Sequence, residues 1–519
     1  MTRHGLPKVK TGCITCKLTG PRIRRVKCDE ARPACNRCVS TGRKCDGYVQ
    51  PPNGSYSWAQ LLRVRPPPTH SAAEPEIRAW GFFRTVVAPV LAGPMDSYFW
   101  THIVPQVSER EEAVKHAVLA ISSLYEKFRG APVEKAIGEK NMFAVTNYND
   151  AIRHLRTTDA PETVLLVCIL FTCIDMLRGE TIGAISHSRH GINILNGSGP
   201  KSRFVRDHLE PAFCRLGIFP LFFGVRPETF PILEVPESTP AAPFNTLAEL
   251  QAAYDPLIVR TIRFIREADE YRLGDDTIPE PNDSMLEERR KVSAAMDRWD
   301  ADFANYKKEK LGKNTERVRE QELMAAKLLE MGWLVGRIWI DSCLSREETI
   351  FDQHLDRFQR LIDIGSDADA FLRSWQRNHP RAKFTFEMGF GPLLGFVVIK
   401  CRSLRLRLAA LKLMRTLGHE RETLWDNDTV LALGRTMIEV EHEVHLDPDG
   451  NNDDMIDGET LPAEGKRIKD SAMQSESRVS LGKDGAVMVW KKLCLLMRQP
   501  GGPVTVKEVW FSVHPKRKQ

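Results

Sequence analysis

Apolar residues recur at helical spacing through most of the chain after about residue 76. One such face carries Val114, Ala117, Ile121, Leu124 and Phe128, which are spaced three or four residues apart. Further helical stretches are expected at roughly 142–157, 162–178, 183–196, 251–272, 319–342, 354–376 and 393–416. The pattern predicts a large body that is mainly α-helical.

One of these helices has a recognisable start signal. Ser284 is followed three residues later by Glu287, which is the spacing of a capping box. The apolar positions that follow are spaced four, three, four and three residues apart, and they are Val292, Met296, Trp299, Phe303 and Tyr306. The sequence therefore predicts an amphipathic helix capped by Ser284.

Two apolar segments depart from this helical pattern. Residues 504–513 (VTVKEVWFSV) alternate, which predicts an edge or hairpin strand. The longest nearly unbroken apolar run, Val164 to Ile174, is too short to cross a bilayer and is followed directly by Asp175. It predicts a buried helix, and no membrane partner is expected.

The first 75 residues differ from the body in composition. Residues 47–75 contain PPNGS and RVRPPPTHS, which is typical of a polar, proline-rich linker. We therefore expect a cysteine-rich domain at 1–46, a linker at 47–75 and a helical domain at 76–519. No apolar heptad repeat follows the cysteines, so no coiled-coil segment for dimerisation is visible.

Positive charge is concentrated at the start of the chain. Residues 1–50 carry 12 Lys or Arg against three acidic residues, a net charge of +9, whereas the whole chain carries +6. The remaining residues therefore sum to −3. A basic segment joined to a mildly acidic body indicates an anionic partner for one end of the molecule.

Six cysteines lie within this basic segment. Their spacing is C-x2-C-x11-C-x6-C-x2-C-x6-C, and they are Cys13, Cys16, Cys28, Cys35, Cys38 and Cys45. The first residues contain no apolar stretch of signal-peptide length, so we expect a reducing compartment in which clustered thiols bind metal rather than form disulfides. A two-residue spacer lets two thiolates reach one ion, and six sulfurs satisfy two tetrahedral zinc ions only if two of them bridge.

The segment GCITCK…IRRVKCDEARPACNRCVSTGRKCDGY resembles the zinc binuclear cluster of fungal transcription factors. The resemblance implies two zinc ions bridged by Cys13 and Cys35, with Cys16 and Cys28 completing one site and Cys38 and Cys45 the other. It also implies that the basic residues before Cys28 contact DNA; they are Arg24, Arg25 and Lys27, with Lys17 and Arg22 as further candidates. Residues 395–411 resemble the family's helical regulatory region more diffusely.

The resemblance departs from the family pattern at one place. The family has six residues between the second and third cysteines and this chain has eleven, so Leu18–Arg22 are additional. Lengthening a flexible loop from six to eleven residues costs about 0.5 kcal/mol, whereas a structural zinc site contributes roughly 10–16 kcal/mol. Metal binding should survive the insertion, but the register of the basic residues on DNA is less secure.

Other motifs of this chain do not carry chemistry. His442 and His445 are three apart rather than the four of a zinc-protease helix, and His187 and His190 suit a helix face. We find no catalytic constellation and expect no enzyme activity.

The resemblance implies a nuclear, sequence-specific DNA-binding regulator of RNA polymerase II transcription that reads CGG-type triplets. Its expected partners are double-stranded DNA and the transcription machinery, and a homodimer is left open. The alternative is a helical interaction module whose altered cluster no longer reads DNA.

Overall fold

The structure is a computed structural model that describes most of the chain. The described residues are 28–29, 31, 34–42, 44–45, 74–93, 98–130, 141–199, 201–234, 243–275, 277–311, 320–376, 382–447, 461–481, 487–499 and 502–513. They divide into two compact units: the first contains the described residues up to 70 together with Ser202–Phe204, and the second contains the rest.

Helices account for most of the described residues, which confirms the mainly α fold class. The α-helices are α1 (Asn36–Val39), α2 (Glu74–Phe82), α3 (Ala88–Ala92), α4 (Val104–Ser108), α5 (Glu112–Gly130), α6 (Met142–Leu155), α7 (Pro161–Arg178), α8 (Thr181–Gly197), α9 (Glu210–Leu216), α10 (Leu247–Leu273), α11 (Asp283–Tyr306), α12 (Glu320–Ser342), α13 (Leu355–Gln376), α14 (Phe390–Lys400), α15 (Leu404–Leu417) and α16 (Asn427–His442). Short π-helical turns occupy Phe83–Val87, Phe99–Ile103, Val205–Leu209 and Lys307–Leu311, and 3₁₀ turns occupy Phe219–Phe222, Pro227–Thr229, Glu348–His354 and Glu464–Lys466.

The described strands of the larger unit form two sheets. The two-residue strands β1 (Phe384–Thr385), β2 (Arg421–Glu422) and β3 (Trp425–Asp426) form a small mixed sheet. The long strands β4 (Ile468–Leu481), β5 (Val487–Arg498) and β6 (Val504–Val513) form an antiparallel sheet in the order β4-β5-β6. The predicted strand at 504–513 is confirmed as the edge strand β6.

The helical periodicity places the predicted faces in the core. In α5, Val114, Ala117, Ile121 and Phe128 are buried and Leu124 is half-buried. All five apolar positions predicted for α11 are buried. The apolar run from Val164 to Ile174 lies in α7, which begins at Pro161, ends at Arg178 and is followed by Gly179 in the left-handed conformation. No helix among the described residues combines the length and apolar character needed to cross a bilayer.

Two predicted helix boundaries are wrong. Helix α11 begins at Asp283 and is capped by Asn282, whose side chain accepts a hydrogen bond from Met285 N at 2.9 Å, so Ser284 lies inside the helix. The stretch predicted as one helix at 393–416 is two helices, α14 and α15. They are separated because Ser403 is extended and caps α15, its hydroxyl accepting from Leu406 N at 3.5 Å.

The residues between α14 and α15 belong to a buried network of charges. The Glu348 carboxylate accepts from Arg272 Nη1 at 3.0 Å, from Lys400 Nζ at 3.0 Å and from Arg402 Nη2 at 3.2 Å. Each of these four side chains is at most 5% exposed. Burial alone would raise the pKa of Glu348, but Lys400, Arg402 and Arg272 outweigh it and lower the pKa to about 2.

The same network holds the first residues of β4. The backbone carbonyl of Lys469 accepts from Arg272 at 3.0 Å and from Lys400 at 2.6 Å, and the carbonyl of Ile468 accepts from Arg402 at 2.8 Å. Glu441 at the end of α16 accepts from Ile468 N at 2.6 Å. Because the backbone of β4 is a partner of the buried cations, the network ties the long sheet to the helices.

We expect Glu348→Ala to lower the free energy of unfolding by about 3–5 kcal/mol, because it removes the carboxylate that Lys400 pairs with and one of the two carboxylates that pair with Arg272 and with Arg402. Asp367→Ala is the matched control: its carboxylate pairs with Lys327 at 3.2 Å but is 68% exposed, so its loss should cost about 1 kcal/mol or less. Denaturant midpoints of the full chain measure both. Equal effects would contradict a central role for the buried network.

Candidate metal centre and nucleic-acid interface

The last four cysteines of the cluster lie among the described residues of the first unit. Cys35 and Cys38 are buried, Cys28 is 9% exposed and Cys45 is half-buried. Cys13 and Cys16 lie outside the described residues, as do the predicted DNA-contacting residues Lys17, Arg22, Arg24, Arg25 and Lys27 and the insertion Leu18–Arg22.

Three of the described thiols converge on one point. The Sγ atoms of Cys35, Cys38 and Cys45 all lie within 4.8 Å of one another. Around a tetrahedral zinc ion with Zn–S bonds of about 2.3 Å, neighbouring sulfurs are about 3.8 Å apart. The chemistry and spacing of this donor set therefore fit three of the four ligands of a tetrahedral zinc ion.

Cys35 also belongs to a second group. Its Sγ atom, the Sγ of Cys28 and a carboxylate oxygen of Asp29 lie within 4.8 Å of one another. Cys35 is thus the member that the two groups share, as a bridging thiolate would be. Among the described residues, no other cluster of three or more metal-ligating side chains is found.

The helix α1 and the turn after it explain why this spacing brings the thiols together. Cys35 caps α1, and its Sγ accepts from Cys38 N at 3.3 Å. After the helix, Gly42 adopts a left-handed φ of 64° and donates from its backbone N to Val39 O at 3.0 Å, which reverses the chain. Cys45 then returns to Cys35, whose backbone N donates to Cys45 Sγ at 3.5 Å. Backbone donors to sulfur stabilise the thiolate form that metal binding requires.

Asp29 has a role that the sequence analysis did not identify. Its carboxylate accepts from Asn36 N at 3.1 Å and from Arg37 N at 3.5 Å, the first backbone donors of α1. Partial desolvation disfavours the charged form of the Asp29 carboxylate. Hydrogen bonds from the backbone N–H groups of Asp29 itself, Arg37 and Asn36 outweigh this effect and hold the pKa of the carboxyl below its usual value. Asp29 thereby joins the segment of Cys28 to the helix of Cys35 and Cys38. In the sequence, the only indication of this role is that Asp29 directly follows Cys28, a predicted zinc ligand.

The other histidine and cysteine candidates remain structural. His187 lies in α8 with its Nε2 3.6 Å from Asp175 Oδ2 and its ring against Phe171. His445 is 92% exposed, and His442 ends α16. The described cysteines outside the cluster form no disulfides; they are Cys168, Cys173, Cys214, Cys343, Cys401 and Cys494. Burial raises the pKa of the half-buried Cys168 thiol to about 11 and that of the buried Cys401 thiol to about 11, which makes both thiols unreactive.

Residues 11–55 match the family model of the fungal Zn(2)-Cys(6) binuclear cluster domain. The chain carries a fungal zinc binuclear cluster domain. The family resemblance predicted from the cysteine spacing is therefore confirmed, and a domain of this family binds zinc.

Several curated proteins are similar to this chain. The aspercryptin biosynthesis cluster-specific transcription regulator atnN of Emericella nidulans is 25% identical over 414 residues, which cover 68% of this chain and 63% of that protein. The transcription regulator lscL of Purpureocillium lilacinum is 27% identical over 34% of this chain and 47% of its own length. The transcriptional regulatory protein moc3 of Schizosaccharomyces pombe is 43% identical over 72 residues, 14% of this chain and 13% of its own.

The matched regions span less than two thirds of the length of each of these relatives. No solved structure matches the chain. These relatives are named as transcription regulators, in agreement with the expectation of no enzyme activity.

We expect Cys35→Ala to remove more zinc from the full chain than Cys45→Ala, because the Cys35 thiol lies in both groups and the Cys45 thiol in one. Native mass spectrometry counts the bound ions directly. Cys168→Ala, which removes a thiol in α7, is the control and should leave the zinc content unchanged. Loss of the same single ion from both cluster variants would show that Cys35 does not bridge.

Proposed function

We propose that this chain is a nuclear, zinc-dependent, sequence-specific DNA-binding regulator of RNA polymerase II transcription. The proposal rests on one observation: Cys35 belongs to both clusters of metal-ligating side chains, inside a segment that matches the zinc binuclear cluster family. The named relatives are transcription regulators, which supports the same role.

The proposed cofactor is a pair of zinc ions. Cys13 and Cys35 bridge them, Cys16 and Cys28 complete one site, and Cys38 and Cys45 complete the other. The group of Cys35, Cys38 and Cys45 and the closeness of Cys28 to Cys35 support this assignment. Zinc would fix the course of the chain, and with it the direction in which the basic residues project.

DNA recognition is assigned to the basic residues before Cys28. Arg24, Arg25 and Lys27 meet phosphates and base edges of CGG-type triplets, with help from Lys17 and Arg22. Arginine is suited to this task because its guanidinium donates two hydrogen bonds to one guanine in the major groove. The net charge of +9 in residues 1–50 supplies the sequence-independent attraction to phosphate.

Each of the three proposed domains has its own role. Residues 1–46 bind DNA, 47–75 form the linker, and 76–519 form the regulatory region that meets the transcription machinery. The segment that resembles the family's regulatory region includes Lys400, Arg402 and Arg407, all buried in the charge network.

The affinity for a CGG-containing duplex should fall steeply as salt rises, because binding releases counterions from phosphates. Arg25→Ala should also reduce the preference for CGG over a scrambled duplex by about tenfold, the effect of losing roughly 1.4 kcal/mol of base discrimination. Fluorescence anisotropy at matched salt measures both quantities. An equal loss of affinity for every sequence would reassign Arg25 to the phosphate backbone.

Deleting Leu18–Arg22 should strengthen specific binding, because it restores the family's six-residue spacing between Cys16 and Cys28 and shortens the anchoring of Arg24 and Arg25. The full chain with and without these residues should be compared on one CGG duplex at matched salt and zinc content. Equal affinity and selectivity would mean that Cys28 alone fixes the register. No specific binding by either form would favour the interaction module that no longer reads DNA.

A further inference from the structure

The two groups of metal-ligating side chains around Cys35 differ in one donor atom. One group offers three sulfurs, from Cys35, Cys38 and Cys45. The other group offers two sulfurs, from Cys28 and Cys35, and a carboxylate oxygen of Asp29. Zinc binds carboxylate oxygen as well as thiolate sulfur. Because the family resemblance assigns zinc to the cysteines alone, the oxygen of Asp29 is an additional ligand candidate.

The spacing of the group that contains Asp29 suits one zinc ion. Its three ligand atoms lie within 4.8 Å of one another, so they share a point that is no farther than about 2.8 Å from each of them. Zinc binds sulfur at about 2.3 Å and carboxylate oxygen at about 2.0–2.2 Å. Shifts of roughly half an ångström therefore bring Cys28, Asp29 and Cys35 to bonding distance of one ion.

The Asp29 carboxylate is held beside the thiols by α1. Asn36 N donates to its Oδ2 at 3.1 Å, and Arg37 N donates to its Oδ1 at 3.5 Å. A carboxylate has about four lone-pair positions, so an oxygen that accepts one of these hydrogen bonds can still bind a metal ion. Cys35 caps the same helix through its Sγ. The first turn of α1 thus positions both the oxygen and the shared sulfur.

Binding by Asp29 requires no loop closure. Asp29 follows Cys28 directly in the sequence, so these two ligands are already neighbours. Cys16, which the resemblance assigns to the same ion, is separated from Cys28 by eleven residues, five more than in the family pattern. The conformational entropy of that longer loop opposes binding by Cys16 and leaves binding by Asp29 unaffected.

We propose that Asp29 is a reserve ligand of the zinc ion bound by Cys28 and Cys35: its carboxylate oxygen takes the fourth position when the Cys16 thiolate is not bound. The inference rests on the zinc cluster of the proposed function and adds a ligand to it. The ion held by the group of three sulfurs has no such reserve, because that group contains no carboxylate. Loss of one cysteine should therefore have different consequences at the two ions.

The test uses three backgrounds of the full chain, namely the native sequence, Cys16→Ala and Cys45→Ala, each with and without Asp29→Asn. Asparagine keeps a hydrogen-bond acceptor for α1 but is not a usual zinc ligand, so the substitution removes the proposed ligand and retains a contact with the helix. Native mass spectrometry counts the bound zinc ions, and competition with a chromophoric chelator measures their affinities. Circular dichroism checks that the helical body of every variant is folded.

In the native background, Asp29→Asn should leave two zinc ions bound and change their affinities little, because Cys16 fills the fourth position. The Cys16→Ala chain should also keep two ions. In that background Asp29→Asn should weaken the less tightly bound ion by about tenfold or more, since even an outer-shell partner of a metal ligand contributes about 10–100-fold to affinity. In the Cys45→Ala background, which is the matched control, Asp29→Asn should have little effect.

Equal zinc affinities of the Cys16→Ala chain with and without Asp29→Asn would overturn the proposal, because water would then occupy the fourth position. An equal loss of affinity in all three backgrounds would overturn it as well, because Asp29 would then act only by holding α1. A native chain that binds fewer than two zinc ions would contradict the zinc cluster of the proposed function, and this inference with it.

Discussion

The position of the Cys35 thiol is the constraint on which the N-terminal unit depends. Its Sγ lies within 4.8 Å of Cys38 Sγ and Cys45 Sγ in one group and of Cys28 Sγ in another. The same sulfur accepts a hydrogen bond from the first turn of α1, and the N–H of Cys35 donates to Cys45. A unit of this size has too few apolar residues to build a stable core, so thiolate–metal bonds take the place that hydrophobic packing has in larger domains. Asp29 and Gly42 serve this arrangement, one by holding the start of α1 and the other by reversing the chain after it.

The larger unit is organised differently, around an apolar core that contains a buried set of charges. Glu348 and Glu441 between them meet Arg272, Lys400, Arg402 and Arg407, and the first backbone groups of β4 complete the set. Such a set contributes less to stability than its number of contacts suggests, because each charge has lost its water. It does favour one arrangement, since any other docking of β4 would remove the backbone carbonyls that accept from Arg272, Lys400 and Arg402. The long sheet is therefore held to the helices at a fixed place.

Sequence patterns predicted what depends on period and spacing. The buried faces of α5 and α11 follow from apolar spacing, the strand β6 from alternation, and the metal-binding family from the cysteines.

Features that depend on tertiary partners were not predicted. Strands β4 and β5 were missed because β4 is mostly polar and β5 carries Lys491 and Lys492 within its apolar run, so neither alternates clearly. The break between α14 and α15 was missed because arginine is a good helix former, so Arg402 gave no sign of a helix end in the sequence. Its carboxylate partners, Glu348 and Glu441, are distant in sequence and become visible only in the structure. The cap of α11 was predicted at Ser284 instead of Asn282 because both residue types cap helices well, and the sequence does not show which of the two precedes the first turn. The predicted DNA-contacting residues lie outside the described residues and stay predictions.

The central claim is that zinc bound by the cysteine cluster makes the chain a sequence-specific DNA-binding protein. The most direct test is to remove zinc from the full chain with a chelator, add zinc back in measured equivalents, and follow binding to a CGG-containing and a scrambled duplex at one salt concentration. The account predicts that specific binding is lost without zinc and returns in full at two equivalents per chain, while weak binding to the scrambled duplex changes little. Preference for CGG that persists without zinc, or no preference at any zinc level, would contradict it.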